Sequence, residues 1–416
     1  MKIFYCFLVV IFSATFSYAA TYYVSTTGND ANIGTSTKPF KTIQKAINRG
    51  LNAGDTVRVL KGRHATFFFR NINGVSGLPI TIKGDPGAII DMNLGGANPS
   101  RNIDFYGGSY ITINGLEITD SNPPAPKSCA GSSSGLRGGI KFNRVTTGGA
   151  FPHHIILTNL KIFNLNSTAV GGSANYSQLV NSQIYDNGGK YKSWTNKPEA
   201  YGTYLKGKNW LIKGNTLHSN TGNGIRTGND PSTSTSELLV DSVIENNLIY
   251  NNGGTFSHPY GSYSSPDFTC KLVTGGDGIV VWHGSGNIIR NNVSSGNIGY
   301  GIRVNEDTTL STRSNLVYNN TVYKNGNIGI YSYLGNKTLV RNNISYLNSK
   351  GNIFSGIASY NLTTDPKFIN ASARDFRLQS SSPAIDKGIK LLEVLKDFRG
   401  VARPRGIAYD IGAFEY

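Results

Sequence analysis

The sequence predicts an all-β fold: a single-stranded parallel β-helix, a solenoid with a short capping helix at its N-terminal end. Three recurrences predict it. A glycine followed by isoleucine (once by threonine) opens a strand-like segment at Gly139-Ile140-Lys141, Gly202-Thr203-Tyr204, Gly224-Ile225-Arg226, Gly278-Ile279-Val280, Gly301-Ile302-Arg303 and Gly329-Ile330-Tyr331. From Gly202 the steps are 22, 54, 23 and 28 residues. A short apolar segment ending in asparagine follows: LIKGN to Asn215, IENN to Asn247, IIRNN to Asn292, LVYNN to Asn320 and LVRNN to Asn343. Three residues beyond most of these asparagines stands a ring: His218, Tyr250, Tyr323 and Tyr346, with Tyr185 after Ser182 in the same series. A repeat of about 20–30 residues holding several strands is the mark of stacked β-coils.

One coil cannot bury its own apolar face, so coils must stack. Stacking places Ile140, Ile225, Ile279, Ile302 and Ile330 in one inward column. The asparagines then form a ladder at one turn, their amides satisfying backbone groups of the next coil. The rings stack likewise, His218 among them as a structural member.

The elements follow in chain order. Lys2, the apolar run Ile3 to Phe16 and the small-x-small Ser17-Tyr18-Ala19 read as a secretory signal over residues 1–19. No later segment has about 18 consecutive apolar residues, so no membrane span is expected. The mature chain, one domain over residues 20–416, is therefore expected to be secreted or periplasmic. Its N-terminal cap covers about 20–54, including KTIQKAINRGL at 41–51, where Ile43, Ala46 and Ile47 have helical spacing. Such a helix covers strand edges that the solenoid end exposes. Coils are expected over about 55–360, interrupted by insertions near 121–138 and 253–276, and a C-terminal cap over about 361–416. Cys129 and Cys270 lie in those insertions; a disulfide and two unpaired thiols both remain open. No cysteine spacing suits a metal.

The formal charge is +16, from 40 Lys+Arg against 24 Asp+Glu. Such a balance favours acidic partners, whether anionic polysaccharide, nucleic acid or an anionic surface, and composition does not choose among them.

The opening TYYVSTTGNDANIGTSTKPFKTIQKAIN, AGDTVRVLKG, SGLPITIKG, the NN coils and the closing DIGAFEY resemble secreted right-handed parallel β-helix proteins of the polysaccharide lyase type, alginate-lyase-like and chondroitinase-B-like. The likeness spans nearly the whole mature chain. Its motifs are architectural, and related β-helices also include hydrolases, epimerases and binding proteins. It implies a monomer acting on an anionic polysaccharide, not on nucleic acid.

Function must be argued from the outward face. With the isoleucines inward, the flanking residues face out: Lys141 and Asn143, Tyr204 and Lys206, Arg226 and Gly228, Val280 and Trp282, Arg303 and Asn305, Tyr331 and Tyr333. The glycines at the strand starts are expected to leave a bare track beside them. Tyr201 and Tyr300 precede two of those glycines at the opposite edge. Aromatic rings stack on sugars and cations pair with carboxylates or sulfates. This strip carries no carboxylate, whereas a glycoside hydrolase needs two, roughly 5–9.5 Å apart. A lyase needs a cation against the uronate carboxylate, a base for the C5 proton and an acid for O4. The expected catalytic set is Lys206, Tyr204 and Arg226, with His283 as a further base. Lys208 and Arg226 lie near Lys206, and cationic neighbours depress a lysine's pKa. Lys141, Tyr201, Trp282, Arg303, Asn305, Tyr331 and Tyr333 are the expected substrate contacts. The residues call for no cofactor; calcium, at the turn carboxylates Asp277 and Asp230, is the one metal left open, and the Asn- and Gly-rich turns also use Asp for geometry alone. His153-His154 are expected in a turn before the ILTN strand.

The leading reading is a lyase that cleaves a uronate-containing polysaccharide, alginate-like before pectate or glycosaminoglycan. The alternatives are a β-helix glycoside hydrolase using Asp277 with Glu306 or Asp307, and a non-catalytic glycan-binding surface protein.

Overall fold

The computed structural model describes residues 19–95, 101–122, 138–188, 201–228, 238–253, 275–305, 313–333 and 337–416. Residues 1–18 of the expected signal sequence, Cys129, Cys270, Asp230, Glu306 and Asp307 lie outside the described residues.

Three parallel sheets run the length of a β-helix. The first has twelve strands, from Thr21–Val24 to Ile357–Ser359; the second has ten, from Gly62–His64 to Ile344–Tyr346. The third runs from Phe67–Arg70 to Ile353–Phe354. One coil shows the path: Thr203–Lys208 in the third sheet, Leu211–Lys213 in the first, Thr216–His218 in the second, then Ile225–Thr227 back in the third. A helix at Ile43–Asn48 buries Ile43, Ala46 and Ile47 at the N-terminal end, with Thr42 as N-cap accepting from the Lys45 N–H.

The isoleucine column is present and longer than the repeats suggest. Ile140, Val170, Thr203, Ile225, Ile279, Ile302 and Ile330 are successive register partners, and all are buried. Phe67 and Ile103 extend it toward the N-terminus. The coils that supply Phe67, Ile103 and Val170 lack the Gly-Ile signature, which is why the sequence hides them.

The NN pairs have a division of labour. The first position of each pair takes the left-handed conformation at the corner between the first and second sheets, with φ of 55° at Asn246, 52° at Asn291, 50° at Asn319 and 55° at Asn342. Asparagine tolerates this region far better than branched residues. The second position turns inward. Its Oδ1 accepts the backbone N–H of the ladder residue one coil earlier, through Asn215, Asn247, Asn292, Asn320, Asn343 and Asn361 at 2.8–3.0 Å. A second ladder, at the corner between the second and third sheets, joins Asn187, Asn220, Asn252, Asn297, Asn325 and Asn348. Asn287 and Asn315 continue the same device at the remaining corner.

The ring series stacks as expected on the second sheet: Phe163, Tyr185, His218 and Tyr250 lie 4.7–5.3 Å apart with planes within 8° of parallel. Ser295 interrupts it between Tyr250 and Tyr323. His153 and His154 begin the strand His153–Thr158 rather than a turn, and the His154 ring stacks between Tyr110 and Tyr176.

The C-terminal segment is more than a lid. It runs back along the flank, where Asn246, Asn291, Asn319 and Asn342 donate to carbonyls of Phe398, Lys396, Asp410 and Ile389. It is locked by Arg403, fully buried against Glu415 at 2.5 Å.

Candidate functional site

The outer face of the third sheet gathers most of the candidate residues. Register fixes their order: Phe68, Asp104, Lys141, Gly171, Tyr204, Arg226, Val280, Arg303, Tyr331 and Phe354 occupy one outward column. Beside it stand Arg70, Tyr106 and Asn143 at one end, and Trp282, Asn305 and Tyr333 at the other. Strand spacing sets each step at about 4.8 Å.

At the centre, cations meet rings. The Arg226 guanidinium carbon lies 5.1 Å from the Tyr201 ring, 5.3 Å from Tyr204 and 5.3 Å from Trp282. Arg303 lies 4.8 Å from Trp282 and 5.1 Å from Tyr300. The Lys206 amine stands 5.0 Å from the Tyr204 ring. The first sheet treats its cations differently: Lys213 and Arg290 both pair with Glu245, at 2.8 and 2.5 Å. Aromatic partners hold a guanidinium in place without cancelling its charge. Arg226 is therefore positioned and still available to an anion, whereas Arg303 also meets the Asp277 carboxylate at 4.0 Å.

Trp282 is flanked by Arg226 and Arg303, so its ring orients both. Asn305 is buried, and its Oδ1 accepts from Arg303 Nε at 3.1 Å. It steadies Arg303 from beneath. Tyr331 stacks with Tyr333 at 5.8 Å and with Phe354 at 5.2 Å, forming an apolar terrace beyond Arg303. His283, at φ +56°, has its ring 5.5 Å from Trp282. It lies two coils from Lys206, about 10 Å by strand spacing, outside the central group. Lys208 turns to Tyr176, at 5.5 Å.

Two expectations are corrected. The strand-start glycines do not form an outward track. Side chains built at Gly202, Gly224, Gly278, Gly301 and Gly329 would run into interior atoms such as Leu217, Ile249, Ser294, Val322 and Ser345. These glycines sit at or next to a turn, where strand alternation does not hold, and they make room for the asparagine ladder. The strip also does contain a carboxylate. Asp104 stands one step from Lys141 and accepts from Asn143 Nδ2 at 3.1 Å. Its strand, RNIDFY, has no glycine start, so the alternation Ile103/Phe105 was its one signal.

The titrating groups respond to this setting. Burial, then the charges of Arg101 and Lys206, depress the Lys141 pKa, with Asp104 opposing. Burial raises the Asp104 carboxyl against the pull of Asn143, Arg101 and Lys141. Asp277 is raised by burial, opposed by the Tyr300 N–H at 2.7 Å and by Arg303 and Arg226. Asp277 and Asp104 lie five coils apart, roughly 24 Å by strand spacing, too far for a hydrolase pair. Among the described residues no three His, Cys, Asp or Glu converge on a metal site. Of the calcium pair, Asp277 faces Arg303 and the Tyr300 N–H, and Asp230 is not described.

Fold and face together define a right-handed parallel β-helix protein with a cation–aromatic strip along one sheet. Residues 199–373 match the family model described as "Right handed beta helix region". No curated protein sequence matches the chain. Among solved structures, the chain is similar to pectate lyase Pel9A, with 21% identity, TM-score 0.67 and coverage of 96% of this chain and 97% of that one. It is similar to a rhamnogalacturonan lyase, with 15% identity, TM-score 0.54 and coverage of 92% and 99%. It is also similar to the GH136 lacto-N-biosidase of Eubacterium ramulus, with 16% identity, TM-score 0.53 and coverage of 83% and 68%. At these identities the likeness is one of fold. No helix among the described residues is long and apolar enough to cross a membrane.

Proposed function

We propose that the protein is a secreted polysaccharide lyase that binds a uronate-containing chain along the third sheet and cleaves it by β-elimination. One observation carries the reading: Lys206 and Arg226 converge on Tyr204, at 5.0 and 5.3 Å from its ring, on a face with no pair of carboxylates at hydrolase spacing among the described residues. Two of the fold neighbours are named as lyases, of pectate and of rhamnogalacturonan.

In the proposed reaction Arg226 pairs with the uronate carboxylate and makes the C5 proton more acidic. Lys206 takes that proton, electrons form the C4–C5 double bond, the C4–O4 bond breaks, and Tyr204 protonates the leaving oxygen. Trp282 and Asn305 keep the arginines in place. The substrate order begins with polyuronates, alginate and polygalacturonate, before glycosaminoglycans.

The decisive experiment incubates the protein with alginate, polygalacturonate, rhamnogalacturonan, hyaluronan and chondroitin sulfate. Ultraviolet absorbance of the unsaturated uronate and reducing ends are followed together. Both signals rise for a lyase. Reducing ends without absorbance would establish a hydrolase, and binding with neither would establish a glycan-binding protein.

A further inference from the structure

One step of the outward column is empty. Gly171 follows Lys141 and precedes Tyr204 in register, so a bare strip of backbone separates these two side chains by two steps, about 10 Å. The fold does not demand this glycine. A Cβ at Gly171 would meet its nearest atoms at 3.4, 3.6 and 3.9 Å, ordinary contact distances, and its backbone is not in the left-handed region. Nearby glycines differ. Gly172, Gly207 and Gly228 have φ of 106°, 106° and 75°, and a side chain there would strike the carbonyl oxygens of Phe142, Ala174 and Trp282. Glycine inside a strand weakens it by leaving nothing to pack. Where geometry does not need it, the remaining reason is close approach of something from outside.

The surroundings define what approaches. Lys141 forms one wall, half-buried, with Arg101 and Lys206 close enough for their charges to oppose its own. Tyr204 forms the other wall, and Lys206 is the register partner of Ser173, two residues along the same floor. Two lysines flank the half-exposed backbone of Gly171, and the nearest acid among the described residues, Asp104, already accepts from Asn143.

We propose that the floor at Gly171 is a sugar subsite that seats a uronosyl residue, its ring flat on the bare backbone and its carboxylate held by Lys141. This rests on the lyase reading above and adds to it. Arg226 engages one carboxylate and Lys141 another of the same chain, so the substrate carries more than one uronate within the strip. An anion beside Lys141 supplies the counter-charge that its cationic neighbours make favourable.

The test uses the full chain with oligogalacturonate and oligoalginate as probes, titrated calorimetrically. Gly171→Leu fills the floor and Lys141→Gln removes the cation. Gln178→Leu, on the outer face of the first sheet in the same coil, is the control. Each of the first two is expected to raise Kd about tenfold or more, the loss of roughly one good charge-assisted contact, with circular dichroism and Tm close to wild type. The control is expected to bind as wild type does. If the wild type binds while folded Gly171→Leu and Lys141→Gln both bind within twofold of it, the subsite is overturned and the lyase reading stands. If Gly171→Leu fails to fold, Lys141→Gln and Gly171→Ala decide, the alanine variant expected to fold and to weaken binding measurably. A wild type that neither binds nor cleaves these probes overturns the polyuronate reading and the subsite with it.

Discussion

Asn292→Ala tests whether the asparagine ladder holds the solenoid together. Asn292 is fully buried. Its Oδ1 accepts from the Asn247 backbone N–H at 3.0 Å and from Asn247 Nδ2 at 2.9 Å. Its Nδ2 donates to the Ile244 carbonyl at 2.8 Å and to Asn320 Oδ1 at 3.0 Å. Alanine removes four hydrogen bonds and leaves their partners in the interior with no room for bulk water. At about 1 kcal/mol net for each bond, the expected loss is about 4 kcal/mol, more if the stranded Asn247 N–H incurs its full desolvation penalty. That is a large part of the 5–15 kcal/mol typical of a folded domain. The assay is guanidinium unfolding followed by circular dichroism, beside Asn246→Gly. The glycine keeps the left-handed corner and removes only the donation from Asn246 Nδ2 to the Phe398 carbonyl at 3.0 Å, shared with a long contact to the Asp397 carbonyl at 3.5 Å, so about 1 kcal/mol is expected. A loss below about 1 kcal/mol for Asn292→Ala would refute the argument, because the ladder would then be decoration on a solenoid held by its apolar columns alone.

Lys206→Ala, Tyr204→Phe and Arg226→Ala are each expected to lower turnover about a hundredfold or more on a substrate the wild type cleaves, with folding intact. Lys208→Ala, which loses a contact to Tyr176 outside the group, is expected to change turnover little; near wild-type rates in all three test variants would move the chemistry to another part of the strip. Trp282→Ala releases both arginines, so it should lower affinity and turnover together. Tyr331→Ala should act on affinity alone, by about 1–2 kcal/mol, and a change in kcat of the same size would contradict its place on the terrace. The pKa values of His64, His153 and His218 are depressed below 6.5 chiefly by burial. The unfolded chain therefore takes up these protons first, and their contribution to stability, complete above pH 6.5, is lost as pH falls toward the folded-state values. Replacing His218 with tyrosine, which continues the stack between Tyr185 and Tyr250, should make the acid loss of Tm shallower; an unchanged slope would show that His218 does not contribute.

The sequence by itself determined the repeat and therefore the fold. Glycine starts, inward isoleucines and paired asparagines recur because every coil meets the same neighbours above and below, so local chemistry repeats wherever the architecture does. It also determined most of the strip, since alternation along a strand places Tyr204 with Lys206 and Trp282 beyond Val280. Only the tertiary structure decided what lies between those residues. The coils of Asp104 and Gly171 carry no glycine–isoleucine start, and a glycine that relieves a clash reads the same in one dimension as a glycine that leaves a floor. The strand-start glycines were legible as a series, but their direction was not, because alternation fails at a turn and the ladder that crowds them comes from residues about 20 or more positions away. Whether a cation on an outer face meets an acid or a ring is likewise set by register between coils: on the first sheet Arg290 finds Glu245 one coil back, and on the strip Arg226 finds Tyr204.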